Sequence, residues 1–139
     1  MRVTADTNLI VSAALWGGNP RRVIDSARDG FFELYTSPAL LNELRGILGR
    51  AKFEKQFLRL RFTPEELVNE FLGFAVVVEA AQIESGVSRD PDDDAVLACA
   101  SASESKIIVS GDNDLIDLKQ YKNIRILSAT ELLSEMNLQ

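Results

Sequence analysis

The sequence contains no histidine. That absence removes the commonest general base near neutral pH, the histidine-assisted serine and cysteine nucleophiles, and most zinc sites. A hydrolase built from this chain needs another way to lower the pKa of water, and a hard metal ion held by carboxylates provides one. There is one cysteine, Cys99, which excludes an internal disulfide and suits a reducing compartment. No apolar run reaches the roughly 18 residues that a membrane span needs. Met1-Arg2-Val3-Thr4-Ala5 is followed by the acid Asp6, where a signal peptide requires apolar residues. A soluble, cytoplasmic protein without membrane association is expected. Internal repeats, low-complexity tracts and linkers are also lacking. The 139 residues suit a single domain, 1–139, with a core that needs no staples.

Positive charge is in short supply. Fifteen basic residues against 21 acidic ones leave a net charge of −6, which makes a poor non-specific nucleic-acid binder. The basic residues are unevenly placed, however. Arg50, Lys52, Lys55, Arg59 and Arg61 fall in one short stretch, interleaved with Phe53, Phe57 and Phe62. Two readings stand side by side. One is an amphipathic helix with its phenylalanines in the core and its charges in water. The other is a surface that tracks phosphates or docks a partner, with Arg50 and Lys52 as substrate-binding candidates.

Apolar strand-like runs alternate with helix-like segments. Residues 2–5, 31–36, 75–79, 106–110 and 124–127 read as strands. Helices are expected over 9–15, 21–29, from Ser37-Pro38 onward, 53–62, from Thr63-Pro64 onward, from Asp90-Pro91 to about Ser103, 114–118 and 128–136, with Trp16-Gly17-Gly18-Asn19-Pro20 as a loop. Thr63 with Glu66 spells a capping box. Such alternation implies right-handed crossovers and an α/β fold: a central parallel sheet of about five strands with helices on both faces. Ligands bind such sheets beyond the carboxyl ends of the strands, at the topological switch point. The segments after the first and fourth strands, Asp6-Thr7-Asn8 and Gly111-Asp112-Asn113-Asp114, are both acidic.

Each acid also has a purely structural reading. Asp6 and Asp112 suit helix N-caps. Glu43 suits a solvated helix position, although Leu40 and Ile47 place it on or beside their apolar side. In Asp90-Pro91-Asp92-Asp93-Asp94 the first four residues fit the start of a helix and its positive dipole end. Asp94 is different, because it heads the stripe Leu97, Ala98, Ser101 that faces the sheet. A carboxylate aimed inward needs a proton, a partner or a cation. The convergence of Asp6, Glu43, Asp94 and Asp112 on one end of a doubly wound sheet favours a cation, and an all-oxygen ligand set suits Mg²⁺ or Mn²⁺.

These segments resemble the four acidic motifs of the PIN-domain family, and within it the VapC-like toxins of prokaryotic toxin–antitoxin pairs. Asp6-Thr7-Asn8 is similar to the first motif, and Ser37-Pro38 through Asn42-Glu43-Leu44 to the second. Asp90 through Ala100 is similar to the third, and Ile108-Val109-Ser110-Gly111-Asp112-Asn113-Asp114-Leu115 to the fourth. Ser110 stands where the family more often has threonine, which keeps the hydroxyl. The resemblance spans essentially the whole chain. It implies a three-layer α/β/α fold and a metal-dependent endoribonuclease that forms a homodimer or higher homo-oligomer, with an RNA substrate and a cognate antitoxin. On this reading Asp6, Glu43, Asp94 and Asp112 are catalytic and hold the metal, while Asn8 and Ser110 orient ligands by hydrogen bonds. Asp114 competes with Asp112 as the fourth acidic ligand. Two alternatives remain: a PIN-like module that binds RNA or protein without cleaving, and a phosphatase with an aspartyl nucleophile. Asn8 counts against the latter, since such enzymes carry a second aspartate at that spacing.

Overall fold

Val3 and Thr4 are β-branched and Asp6 stops the run, which makes Arg2–Ala5 a short strand, β1. The computed structural model describes residues 1–80 and 91–137. After β1 come α1 (Thr7–Leu15), α2 (Gly18–Arg28), β2 (Glu33–Thr36) and α3 (Pro38–Leu48). A 3-10 turn (Ala51–Phe53), α4 (Glu54–Leu60), α5 (Pro64–Leu72) and β3 (Ala75–Val77) follow. The chain ends with α6 (Pro91–Ser103), β4 (Ile107–Val109), α7 (Asn113–Ile116), β5 (Gln120–Tyr121), β6 (Ile124–Leu127) and α8 (Ala129–Glu135). Asp90, the expected cap of α6, lies outside the described residues, as do the side chains of residues 91–93.

The sheet runs β3-β2-β1-β4-β6-β5. β1, β2, β3, β4 and β6 are parallel, the five strands that the alternating pattern implies. β5 adds a two-residue antiparallel edge that the alternating pattern does not show, formed where the chain doubles back before β6 through Lys122, at φ 54°. The chain winds outward from β1 through β2 to β3, then returns to β4 on the other side of β1. The switch point therefore lies between β1 and β4.

Side-chain alternation along the strands builds two cores. Val3, Ala5, Leu34, Ile107 and Val109 face α1, α2, α3, α5 and α8. Tyr35, Ile108, Ile124 and Ile126 face α6 and α7. The result is the α/β/α sandwich.

Two local readings change. α2 begins at Gly18 rather than Arg21, because Gly17 and Gly18 take φ 78° and 68° and Pro20 falls in the first turn, where its missing N–H is not needed. The helix expected over 53–62 is cut to Glu54–Leu60 by Arg61, at φ 59°. Within it Phe57 is buried and meets the Phe62 ring edge-on at 6.1 Å, while Leu58 is 78% exposed. The capping box of Thr63 and Glu66 forms with both bonds at 3.1 Å. Among the described residues no helix is long and apolar enough to cross a membrane.

Candidate functional site

Asp6 sits at the switch point because β1 ends there and α1 starts one residue later. Its backbone N–H donates to the Val109 carbonyl of β4 at 3.1 Å, which ties the two strand ends together. Its side chain does two things at once. Oδ1 accepts the Leu9 amide at 2.9 Å, so Asp6 is the N-cap of α1. Oδ2 accepts the hydroxyl of Ser110, the residue that follows β4. Ser110 Oγ in turn accepts the Asp112 backbone N–H at 2.9 Å. Asp112 then caps α7, accepting the Asp114 amide at 2.9 Å. The structural readings of Asp6 and Asp112 are thus correct, and Ser110 bridges the two residues.

Burial sets the electrostatics. Asp6 is 3% exposed and Ser110 fully buried. Desolvation pushes the Asp6 carboxyl up from 3.8 to about 6, against the hydrogen bonds from Ser110 and the Leu9 amide, and the nearby Asp112 charge raises it further. Among the described residues no lysine or arginine shifts it. Next to it, Thr7 is 2% exposed and its hydroxyl has no hydrogen-bond partner among the described residues. The sequence motif contains Thr7, but nothing in the motif points to a role for it.

The other acids are placed less closely. Glu43 is half-buried on α3 and Asp94 half-buried near the start of α6, and these helices touch. Asp114 is exposed, as is Asn8 in the first turn of α1. Among the described residues no three acidic side chains lie close enough together to hold an ion as they stand. The structure brings together Asp6, Ser110 and Asp112, and leaves Glu43 and Asp94 on neighbouring elements.

The Asp6 carboxylate by itself has the chemistry of a ligand for a hard cation. An ionised carboxylate offers about four acceptor positions, and on Asp6 the Ser110 hydroxyl and the Leu9 and Asn8 amides are the donors among the described residues. A buried carboxyl beside a second one, with no cation among its partners in the described residues, is an environment that a hard metal ion relieves.

The basic stretch is elsewhere. Arg50 and Lys52 follow the C-terminal end of α3, whose eleven residues extend about 16 Å at 1.5 Å per residue. Arg50 and Arg61 rim a cleft of about 580 Å³ between the end of α3 and α4–α5. A second cleft, of about 380 Å³, lies between α1, α2 and α5. Neither is lined by Asp6, Glu43, Asp94 or Asp112.

A doubly wound sandwich with acids at the β1/β4 switch point defines the class. The sequence matches the PIN-domain family over residues 2–114, and the chain belongs to that family. The matched span contains Asp6, Glu43, Asp94, Asp112 and Asp114. In fold it is similar to a chain in the crystal structure of VapBC2 from Rickettsia felis bound to a DNA fragment from their promoter. That match has a TM-score of 0.65 at 15% identity and covers 92% of this chain and 98% of that one. No curated protein matches the sequence.

Proposed function

We propose that this chain is a metal-dependent ribonuclease, the toxin of a toxin–antitoxin pair, with Asp6, Glu43, Asp94 and Asp112 as its acidic centre. One observation carries the reading: the buried Asp6 carboxyl at the switch point, held up at about 6 by desolvation and by Asp112, with no cation among its partners in the described residues. Family membership and the VapBC2 likeness support the reaction class and the antitoxin partner.

A bound Mg²⁺ or Mn²⁺ supplies a Lewis acid for the phosphate oxygens and acidity for the attacking water. The chain's own residues prepare its place. Ser110 and the Leu9 amide fix the orientation of the Asp6 carboxylate and favour its charged form. Asp112 is held by its own cap onto α7. Glu43 and Asp94 approach from α3 and α6. Asn8, exposed beside Asp6, offers an amide to orient substrate or water.

Asp94→Asn tests the assignment. Cleavage of single-stranded RNA in Mn²⁺ should fall by about a hundredfold or more while the circular dichroism spectrum stays native. A folded variant that cleaves at the wild-type rate refutes the role of Asp94. A wild-type chain that binds RNA in Mn²⁺ and leaves it intact is the non-catalytic module instead.

A further inference from the structure

α6 is a smooth helix. From Ala95 to Ser103 only Val96 and Leu97 are larger than cysteine; the rest are alanine, serine and Cys99. Side-chain ridges fix the register of packed helices by interlocking, and alanine and serine offer little ridge. Yet α6 packs on β1, β2 and β4, with Asp94 in its N-terminal part.

What stands between α6 and β1 is a seam of buried hydroxyls. Thr4 Oγ1 lies 2.9 Å from Ser105 Oγ and 3.4 Å from Ser103 Oγ, and the two serine hydroxyls are 2.7 Å apart. Thr4 is fully buried and Ser103 and Ser105 are 2% and 3% exposed. The seam continues to the fully buried Cys99 thiol, whose pKa burial pushes up to about 11 while the nearby hydroxyls of Thr4 and Ser37 lower it. Ser37 caps α3, the helix that carries Glu43. At the lower end the Arg2 guanidinium donates to the Ser103 carbonyl at 2.9 Å. Thr4 is therefore linked to the elements that carry Glu43 and Asp94 and to the residues leading into β4, and lies two residues before Asp6. Valine would fill the same space without a hydroxyl. A polar network in a core specifies one arrangement among several of similar packing energy, because any slip leaves its members unpaired.

We propose that Thr4 is a positioning residue for Asp94: through the hydroxyl seam it fixes the height and rotation of α6 against β1, and so the place of the Asp94 carboxylate relative to Asp6. The function of that placement rests on the metal-nuclease reading, while the register itself does not.

The experiment compares Thr4→Val, which keeps the shape and loses the hydroxyl, with Thr4→Ser, which keeps the hydroxyl. Three quantities are read on the folded protein: the thermal midpoint, Mn²⁺ affinity from the free-ion electron paramagnetic resonance signal, and the rate at which a thiol reagent modifies Cys99. Cys99 is the chain's sole cysteine and sits on α6 five residues after Asp94. In Thr4→Val its modification should accelerate about tenfold or more and Mn²⁺ affinity should fall about tenfold or more, and Thr4→Ser should restore both. Loss of the Thr4 hydrogen bond alone would raise the thiol pKa and slow the reaction, so acceleration reports movement of α6. Thr63→Ala, which loses a remote helix cap, controls for general destabilisation and should leave both readouts unchanged; equal acceleration there overturns the proposal. A wild-type Cys99 rate in Thr4→Val overturns the register claim, and a faster rate with unchanged Mn²⁺ affinity overturns the link to Asp94. Should the wild-type protein bind no Mn²⁺, the metal reading fails, and with it the role assigned to Asp94, while the Cys99 rates still decide the register. Should Thr4→Val not fold, Ser105→Ala opens the same seam and is read in the same way.

Discussion

Ser110 donates its hydroxyl hydrogen to Asp6 across the gap between the ends of β4 and β1, and with the same oxygen accepts the backbone N–H of Asp112. One small side chain thereby links two acids that lie 106 residues apart in sequence. It also works against burial: of the groups around Asp6, Ser110 is the largest influence favouring the ionised form.

Ser110→Ala should therefore push the Asp6 carboxyl above its present value of about 6. Metal binding requires the carboxylate, so protons compete with the ion, and the competition moves to higher pH when the carboxyl becomes harder to ionise. The pH at which Mn²⁺ affinity is half lost on acidification should rise in Ser110→Ala and return in Ser110→Thr. Isothermal titration of Mn²⁺ across pH 5–8 measures it, and coincident profiles for the alanine variant and wild type would refute the link.

Asp6 should lower the stability of the metal-free protein. Its folded pKa of about 6 lies above the reference 3.8, so the folded state holds the proton more tightly. Stability is then unaffected by this group below the unfolded value, falls as pH rises from about 4 to about 6, and stays reduced above. A shift of about two units corresponds to about 3 kcal/mol at pH 7. Asp6→Asn keeps an oxygen for the Leu9 cap and removes the charge. Without metal at pH 7 it should melt later than wild type, by up to that amount of free energy, and lose cleavage. Added Mn²⁺ should stabilise wild type, by about 2.7 kcal/mol at a hundredfold excess over Kd, and leave Asp6→Asn unmoved. Thermal denaturation with and without Mn²⁺ decides this; earlier melting of the metal-free variant contradicts it.

Asp112 and Asp114 can be separated in the same way. Asp112 is half-buried and its charge reaches Asp6, whereas Asp114 is exposed. Asparagine is as good an N-cap as aspartate, so Asp112→Asn should leave α7 intact. Its cleavage rate should fall by about a hundredfold, and that of Asp114→Asn by less than about threefold. The reverse ranking in single-turnover kinetics would move the fourth acidic ligand to Asp114.

The positions of Asp6 and Asp112 were readable because strand ends and helix caps leave local marks: a β-branched run that stops at an acid, and Ser-Gly-Asp-Asn after another. The five parallel strands were readable for the same reason. The start of α2 was not, because Gly17-Gly18 looks like a loop and only the backbone angles reveal that the helix begins within it. β5 escaped because two residues show no periodicity. The hydroxyl seam escaped for a deeper reason. Thr4 and Ser105 are separated by 101 positions, and nothing in either neighbourhood points to the other. Glu43 and Asp94 stand between these cases: their helices were legible, but how α3 and α6 pack against each other is a long-range property that neither segment states.

Arg50 and Lys52 give the last prediction. Both follow α3, about one helix length from Ser37, and a single nucleotide at Asp6 does not reach that far. If these cations guide substrate, they meet phosphates several nucleotides from the scissile bond. Charge reversal, Arg50→Glu with Lys52→Glu, should then raise KM for a long single-stranded RNA about tenfold and leave kcat unchanged, since the acidic centre is untouched. A short oligonucleotide spanning only the cleavage site should be cut by variant and wild type alike. The salt dependence of long-RNA binding should also weaken, by about 0.7 in log–log slope for each phosphate that the variant no longer neutralises. Equal KM and equal salt slope for the long substrate would return the stretch to its structural reading: an amphipathic helix with Phe57 in the core and its charges in water.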